Sequence, residues 1–597
     1  MEPESETERP HRPHNYEYAF FYLGVAGNLV ARTSTYRYPT SHFPYQDFKR
    51  FWTIGDHPIL SIWSEELVQE IELALDNLEW DRFYPIRIGS LYPGFNEPCG
   101  PERALVLMVD IPTATTNWDT AIEVALQCRN ILRQAGIPDI EVEVREVDRQ
   151  CLAMDLELEE LVETSDYSGS TEITMEFHPE FSYTNLALVL SNIGYQIAPE
   201  KEVPTYYGTM GLHVRLSGRP SEVYGLTCRH VAHRPAKDGS SGVAQGSWLP
   251  NADRWRLEDG EKGTRHRMVQ LCPSELNGIQ VAMTRKLGKA RQYQQSLSIK
   301  KMKSEFDPDS QTKMSRVEDH KLATLEMGIP FAEAVLKLIT KDTLETVEGR
   351  AIGHIAAMPP FEVSTRGFFR DWALIRLDEA KFGGPITNQV HVGWQDSCPG
   401  PPELPELRDK CDANSKIRIQ GTISSGDIHG RRSIQVAKRG ARTGLTCGMT
   451  NEIKAVIRTP TSDGKRLRAW EWIVVGCAST SGGIANFSQE GDSGAAVFDY
   501  HGRVVGFLGS GFSHGKITKK GEKTAAAEVV PRLWKHHSLD DEELPQDPGK
   551  ANDPKIEDAP PEGFRAYSAG TDLSFVTPVD IVFGDIQLET GCNVEVI

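Results

Sequence analysis

Two rhythms of apolar and polar positions divide this chain. Near the start, apolar residues recur at helical spacing, with Leu67, Ile71, Leu75 and Leu78 on one face of residues 64–80 and acids on the other. That is the signature of an amphipathic helix. Residues 104–111 (ALVLMVDI) are a continuous apolar run of strand length. Residues 117–135 again show helical spacing through Ala121, Val124, Cys128, Ile131 and Leu132, stopped by Gly136 and Pro138. Residues 140–147 (IEVEVREV) alternate apolar with charged, which predicts a half-buried strand. Strand, helix, strand in succession predicts a small α/β domain over residues 16–150, after a disordered tail at 1–15. An acidic, mixed stretch at 151–205 reads as a linker.

From residue 206 the rhythm shortens. GLHVRLS, VYGLTCRHV, DWALIRL, KIRIQGTI, EWIVVGC, GAAVFDY, GRVVGFLG and SFVTPV are short strand-like runs punctuated by Gly and Pro. This predicts an all-β barrel or sandwich. Two segments interrupt it. Residues 275–345 carry Leu276, Ile279, Met283, Leu287, Ala290 and Leu297, then a break at Asp307-Pro308-Asp309, then Val317, Leu325, Val335 and Ile339. They predict an inserted helical hairpin. Its first arm holds Arg285, Lys286, Lys289, Arg291, Lys300, Lys301 and Lys303 with no acid between them. Residues 516–570 mix lysines, an acidic run and prolines, and read as a long mobile loop.

Composition narrows the function. A chain of 597 residues exceeds the roughly 250–300 of one core, so several domains are expected. The formal charge of −19 argues against a nucleic-acid coat, and the basic arm is the local exception. Ten cysteines without a C-x-x-C pair remove the zinc-ribbon and thioredoxin readings. The polar, acidic N-terminus is unlike a signal peptide, and no apolar run nears the ~18 residues of a membrane span. The expected compartment is therefore the cytoplasm or nucleus. Neither G-x-G-x-x-G after a strand nor a P-loop occurs, and no cofactor or metal is expected.

The chemistry sits in three segments. Residues 226–231 (LTCRHV) end a strand on His230, Asp371 opens DWALIRL, and Ser493 lies in the turn EGDSGAAVF. L-T-x-x-H, D-x-A-L-I-R-L and G-D-S-G, in the order His, Asp, Ser, resemble the chymotrypsin/trypsin-like serine peptidases. The resemblance spans residues 208–597 apart from the two interruptions, and the closing FVTPVDIVFGDI resembles that family's last strand and helix. It implies a double β-barrel carrying a helical insertion, preceded by the α/β domain. It also implies an endopeptidase with Ser493 as nucleophile, His230 as base and Asp371 orienting the imidazole. The N–H groups of Gly491 and Ser493 would form the oxyanion hole. His233 and Asp378 are lesser candidates, the second read as a turn residue.

Departures from the family pattern matter too. Val231 and Gln489 stand where secreted relatives carry cysteines. No I-V-G-G-like activation site precedes Gly208, so the usual partner of Asp492, a freed N-terminus, is not identifiable. The resemblance places the specificity pocket at Phe487 and at Leu508, Gly509, Ser510 and Gly511. Phe487 in place of an acid disfavours basic side chains. The expected partner is a protein or peptide substrate, with a further protein possible at the N-terminal domain or the basic hairpin. The rival is an inactive scaffold of the same fold; an esterase is disfavoured because no G-x-S-x-G elbow occurs.

Overall fold

The computed structural model describes residues 27–35, 49–90, 103–147, 149–151, 193–200, 206–233, 266–270, 273–306, 315–340, 346–382, 385–392, 416–428, 433–461, 465–477, 487–512 and 573–597, with shorter pieces between. These residues are mostly β-sheet, in sheets of twelve, nine and two strands.

Strands β1 (Asn28–Arg32), β2 (Lys49–Trp52), β3 (Arg82–Ser90), β4 (Ala104–Ile111) and β5 (Glu141–Glu146) make one end of the largest sheet. Helix α1 (Glu65–Ala74) is capped by Ser64, whose side chain accepts from the Leu67 N–H. Helix α2 (Trp118–Gln134) is capped likewise by Asn117 and is followed by Gly136 at φ +90°. α2 is the crossover that parallel β4 and β5 require. Leu67, Val68 and Ile71 of α1 and Ala121, Val124, Cys128 and Leu132 of α2 fill one core with Leu107, Val109, Val142 and Val144. α1 is shorter than the pattern predicts, because Leu75–Asn77 tightens into a 3-10 turn that still buries Leu75.

β5 departs from the half-buried strand expected. Its charged positions Glu143, Arg145 and Glu146 are buried as well. The second face is covered by upstream residues: the Tyr22 hydroxyl donates to Glu143 at 2.6 Å and that of Tyr18 to Glu146 at 2.7 Å. Arg145 pairs with Asp110 at 2.8 Å, both fully buried. Buried charges persist when paired and hydrogen-bonded in this way. Of the expected tail, residues 1–9 lie outside the described residues, and His11 sits 3.2 Å from Glu17.

Further on come β6 (Arg149–Cys151), β7 (Met154–Asp155), β8 (Gln196–Pro199), β9 (Tyr206–Thr209), β10 (Leu212–Leu216), β11 (Arg219–Thr227), β12 (Arg267–Gln270), β13 (Ala351–Ala357) and β14 (Ala373–Leu377). All but β6 belong to the nine-stranded sheet. Residues 151–205, read as a linker, thus contribute strands. Between β12 and β13 the chain makes the expected helical hairpin, α3 (Pro273–Phe306) and α4 (Arg316–Ile339). It has its own core of Leu287, Ala290, Leu297, Leu322, Leu325, Ile329 and Ala332, whereas Val317 is exposed. The basic arm is partly neutralised by its partner, with Arg291 2.6 Å from Glu333 and Lys300 2.7 Å from Glu318.

Strands β15 (Gln389–His391) and β16 (Lys416–Arg418) pair alone. β17 (Gln435–Gly440), β18 (Gly444–Pro460), β19 (Arg466–Gly476), β20 (Ala496–Asp499), β21 (Val504–Phe512) and β22 (Leu573–Pro578) complete the large sheet. Helix α5 (Val579–Thr590) and β23 (Val594–Val596) end the chain, with β23 returning to pair with β10. The segment 516–570 lies outside the described residues.

The expected pair of closed barrels appears instead as an open ring. The nine-stranded sheet runs from β23 through β10, β11, β14, β13, β12, β8 and β9 to β7, and among the described residues its two ends do not pair. The interruption is local: residues 206–216 pair first with β8 and then with β11, and the ladder breaks at Met210 and Gly211 between β9 and β10. In the large sheet β18 pairs with both β17 and β19. At 17 residues β18 also reaches β3, with Val456 opposite Phe83. The N-terminal layer therefore continues the sheet. Arg468 fastens it further, donating from Nε to Glu72 at 2.9 Å and pairing in charge with Glu65 at 2.8 Å. The two large sheets share a core in which Leu212, Leu226 and Leu374 meet Ala437, Phe498 and Phe507.

Candidate active site

Antiparallel pairing brings the first two site residues together. Thr227 at the end of β11 stands opposite Ala373 at the start of β14. The chain leaving β11 makes one helical turn, Arg229–Ala232, that carries His230. His230 and Asp371, 141 residues apart, then meet with Nδ1 2.7 Å from Asp371 Oδ2. The main-chain N–H of His230 donates to the other carboxylate oxygen at 3.0 Å. Burial opposes ionisation of Asp371, but the imidazole and these hydrogen bonds outweigh it and hold the carboxyl below its ordinary range. The Tyr206 hydroxyl fixes the turn from behind by bonding to the His230 carbonyl.

Asp371 is held from both sides. Arg370 bonds Asp585 of α5 through Nε at 2.8 Å and Glu589 at 2.8 Å, and Trp372 donates its indole N–H to Asp585 at 2.6 Å.

Ser493 comes from the other sheet, in the turn before β20. Gly491 adopts φ +103°, a conformation that favours glycine. A Cβ there would also come within 2.7 Å of the Tyr207 ring. The turn is pinned by Thr209, whose hydroxyl donates to the Gly491 carbonyl at 2.9 Å and whose N–H donates to the Ser493 carbonyl at 2.8 Å. The Ser493 hydroxyl donates to the Gly509 carbonyl at 3.2 Å. Gly509 borders Asp371, since a Cβ on it would lie 3.9 Å from Oδ2. Ser493 and the His230–Asp371 pair thus meet at Gly509. Ser493 is fully buried and His230 is 1% exposed. Among the described residues, the N–H groups of Gly491 and Ser493 have no hydrogen-bond partner.

The remaining candidates separate. His233 follows the turn and its N–H caps it on Arg229, while Asp378 accepts from Ala380 N–H as a turn residue. Phe487 and Leu508 are fully buried among Val474, Val497 and Val576. Gly509 is half-buried, and Ser510 and Gly511 are buried. Residues 510–512 carry a strand partner: β6 pairs antiparallel to them, with Cys151 opposite Ser510 and Gln150 opposite Gly511.

Two features carry weaker sequence signals. Cys228 brings its thiol near His230 and Asp371, the three ligand-type atoms lying within 4.8 Å of one another. Burial first, and the nearby Asp371 second, push that thiol well above its ordinary range. It stays protonated, donating to the Leu508 carbonyl at 3.3 Å, and a metal would require its thiolate. The second is Lys438, whose ammonium lies 2.9 Å from Asp492. It lies in the Gly-rich run KRGARTG, residues 438–444.

Compared with known proteins, the chain matches no family model and no curated sequence.

Proposed function

We propose that the protein is a trypsin-like serine endopeptidase that cleaves peptide bonds through Ser493, His230 and Asp371. The observation that carries this reading is the His230–Asp371 hydrogen bond at 2.7 Å, formed beside the residue that accepts the Ser493 hydroxyl. For reaction, the serine hydroxyl turns from Gly509 to His230 Nε2. The imidazole takes its proton as Oγ bonds to the scissile carbonyl carbon. Asp371 fixes the tautomer by accepting from Nδ1 and stabilises the imidazolium. The oxyanion is received by the N–H groups of Gly491 and Ser493. The C–N bond then breaks, His230 returns the proton to the leaving amine, and water hydrolyses the acyl-enzyme by the reverse proton route.

An extended peptide is the fitting substrate. The edge of β21 beside Gly509 already accepts a strand, β6, and strand addition at such an edge is a general mode of peptide recognition. The double-barrel fold belongs to the same reading. It is supported by pairings that run through β17, β20, β21, β22, β19 and β18 and by the ring broken only between β9 and β10. A reducing compartment, cytoplasm or nucleus, is in keeping with the thiols at Cys128, Cys228, Cys411, Cys447, Cys477 and Cys592. No helix among the described residues is long and apolar enough to cross a membrane.

One observation favours the rival scaffold reading: Ser493 is fully buried with its hydroxyl spent on a carbonyl. Labelling with a fluorophosphonate separates the two. A hydrolase gives a covalent adduct that Ser493→Ala abolishes; a scaffold gives none, or equal labelling in both.

A further inference from the structure

The turn that carries Ser493 is built on a buried carboxylate. Asp492 is fully buried and takes five donors. The N–H groups of Arg442 and Thr443 reach Oδ1 at 2.9 and 3.1 Å. Lys438 Nζ, the Thr443 hydroxyl and the Gln489 N–H reach Oδ2 at 2.9, 2.7 and 3.0 Å. Four of these donors belong to one hairpin, the end of β17 and the loop into β18. Lys438 is fully buried as well and bonds the Thr443 hydroxyl too.

Lys438 is a charge set in an apolar surrounding, its ammonium 5.7 Å from the centre of the Phe487 ring. Side chains alternate along a strand, so Lys438 shares its face of β17 with Val436, which lies in an apolar cluster with Val497 and Leu508. A charge at a core position is tolerated when paired and hydrogen-bonded. The hairpin is shaped to the carboxylate: a Cβ at Gly440 would collide with the Asp492 side chain. Asp492 stands between Gly491 and Ser493, so whatever fixes its carboxylate also fixes the two N–H groups and the hydroxyl on either side.

We propose that Lys438 is the positioning residue that sets the 491–493 turn in its reactive conformation, so that the chain is competent without a cut to create a new N-terminus. This rests on the hydrolase reading. Without Lys438 the carboxylate would be left buried and without its counter-charge, a state relieved by turning it toward water and dismantling the turn. Lys438 itself touches no reacting atom.

The test uses the full chain, its integrity checked by intact mass, and measures fluorophosphonate labelling rate alongside thermal unfolding. The uncut wild type labels, Lys438→Met labels at least 100-fold more slowly while still melting cooperatively, and Lys438→Arg recovers at least a tenth of the wild-type rate. If Lys438→Met does not fold, Thr443→Val decides, with labelling expected to fall about tenfold at unchanged melting. The proposal is overturned if the variant that decides labels within threefold of wild type, or if Lys438→Arg is as slow as Lys438→Met. It is also overturned if only a proteolytically cut form labels, an outcome that leaves the hydrolase reading standing. Labelling of neither cut nor uncut protein removes the hydrolase reading itself.

Discussion

Trp372 gives its indole N–H to Asp585 at 2.6 Å, tying the residue after Asp371 to the C-terminal helix. Arg370, the residue before Asp371, bonds the same carboxylate. The position of Asp371 is therefore set from outside its own strand. Asp585→Ala leaves the buried Trp372 indole N–H without its acceptor and removes one of the carboxylates on Arg370, which keeps Glu589 and Glu362. An unsatisfied buried donor costs about 1–3 kcal/mol. Chemical denaturation should show a loss of that order, and fluorophosphonate labelling should fall with it. Labelling and stability both unchanged would mean that α5 does not position Asp371.

Asp371→Asn tests the orienting role proposed for Asp371. The amide keeps the shape of the side chain but can present its NH₂ to Nδ1, favouring the tautomer in which Nε2 holds the proton and cannot accept one. Peptide hydrolysis should fall on the order of 10⁴-fold with the melting transition preserved. A fall below tenfold in a folded variant would assign the base elsewhere, and His233 would be the next residue to substitute.

His230, Asp371 and Ser493 each sit in a short run that combines a strand edge with a specific residue type, which is what makes them candidates from sequence alone. α2 was legible from Asn117, its apolar face and Gly136. What escaped depended on contacts between distant segments. The β3–β18 joint leaves no local trace, because Phe83 and Val456 are ordinary strand residues until they pair. The alternation in β5 was read as one wet face, but Tyr18 and Tyr22 cover its acids, and no period in the sequence encodes that cover. The resemblance assigns Phe487 to a specificity pocket, and its burial with Val474, Val497, Leu508 and Val576 comes from segments apart from it in sequence. The Lys438–Asp492 pair joins residues 54 apart, and neither local run announces it.

The strand β6 occupies the edge of β21 next to Gly509. Only one extended chain can pair with that edge, so on the proposed reading a substrate strand would have to displace residues 149–151. Proline donates no N–H to a ladder and is disfavoured in paired strands. The double substitution Gln150→Pro, Cys151→Pro should therefore raise the hydrolysis rate of a reporter peptide severalfold at low substrate, mainly by lowering KM. An unchanged or raised KM would show that β6 supports the site rather than competing for it.

His213 supplies an acid-sensitive point in the fold. Its ring is fully buried beside the sheet that carries His230, 3.1 Å from the Thr387 carbonyl, and burial pulls its pKa from 6.5 down to about 4. Between those values the unfolded chain binds a proton that the folded chain refuses. Stability is therefore intact above pH 6.5 and declines as the pH falls toward 4, with no further loss from this group below that. The full excursion corresponds to roughly 3 kcal/mol at 1.36 kcal/mol per pH unit. Asp371, held below its ordinary value, acts in a lower window: its contribution is present above its unfolded pKa near 3.8 and is lost only as the pH drops through its folded one. Denaturant titrations at pH 7, 5.5 and 4 should show the His213 slope, and His213→Gln, which cannot ionise, should flatten it. A wild-type curve that is already flat across this range would mean that the His213 ring takes up its proton without leaving the fold.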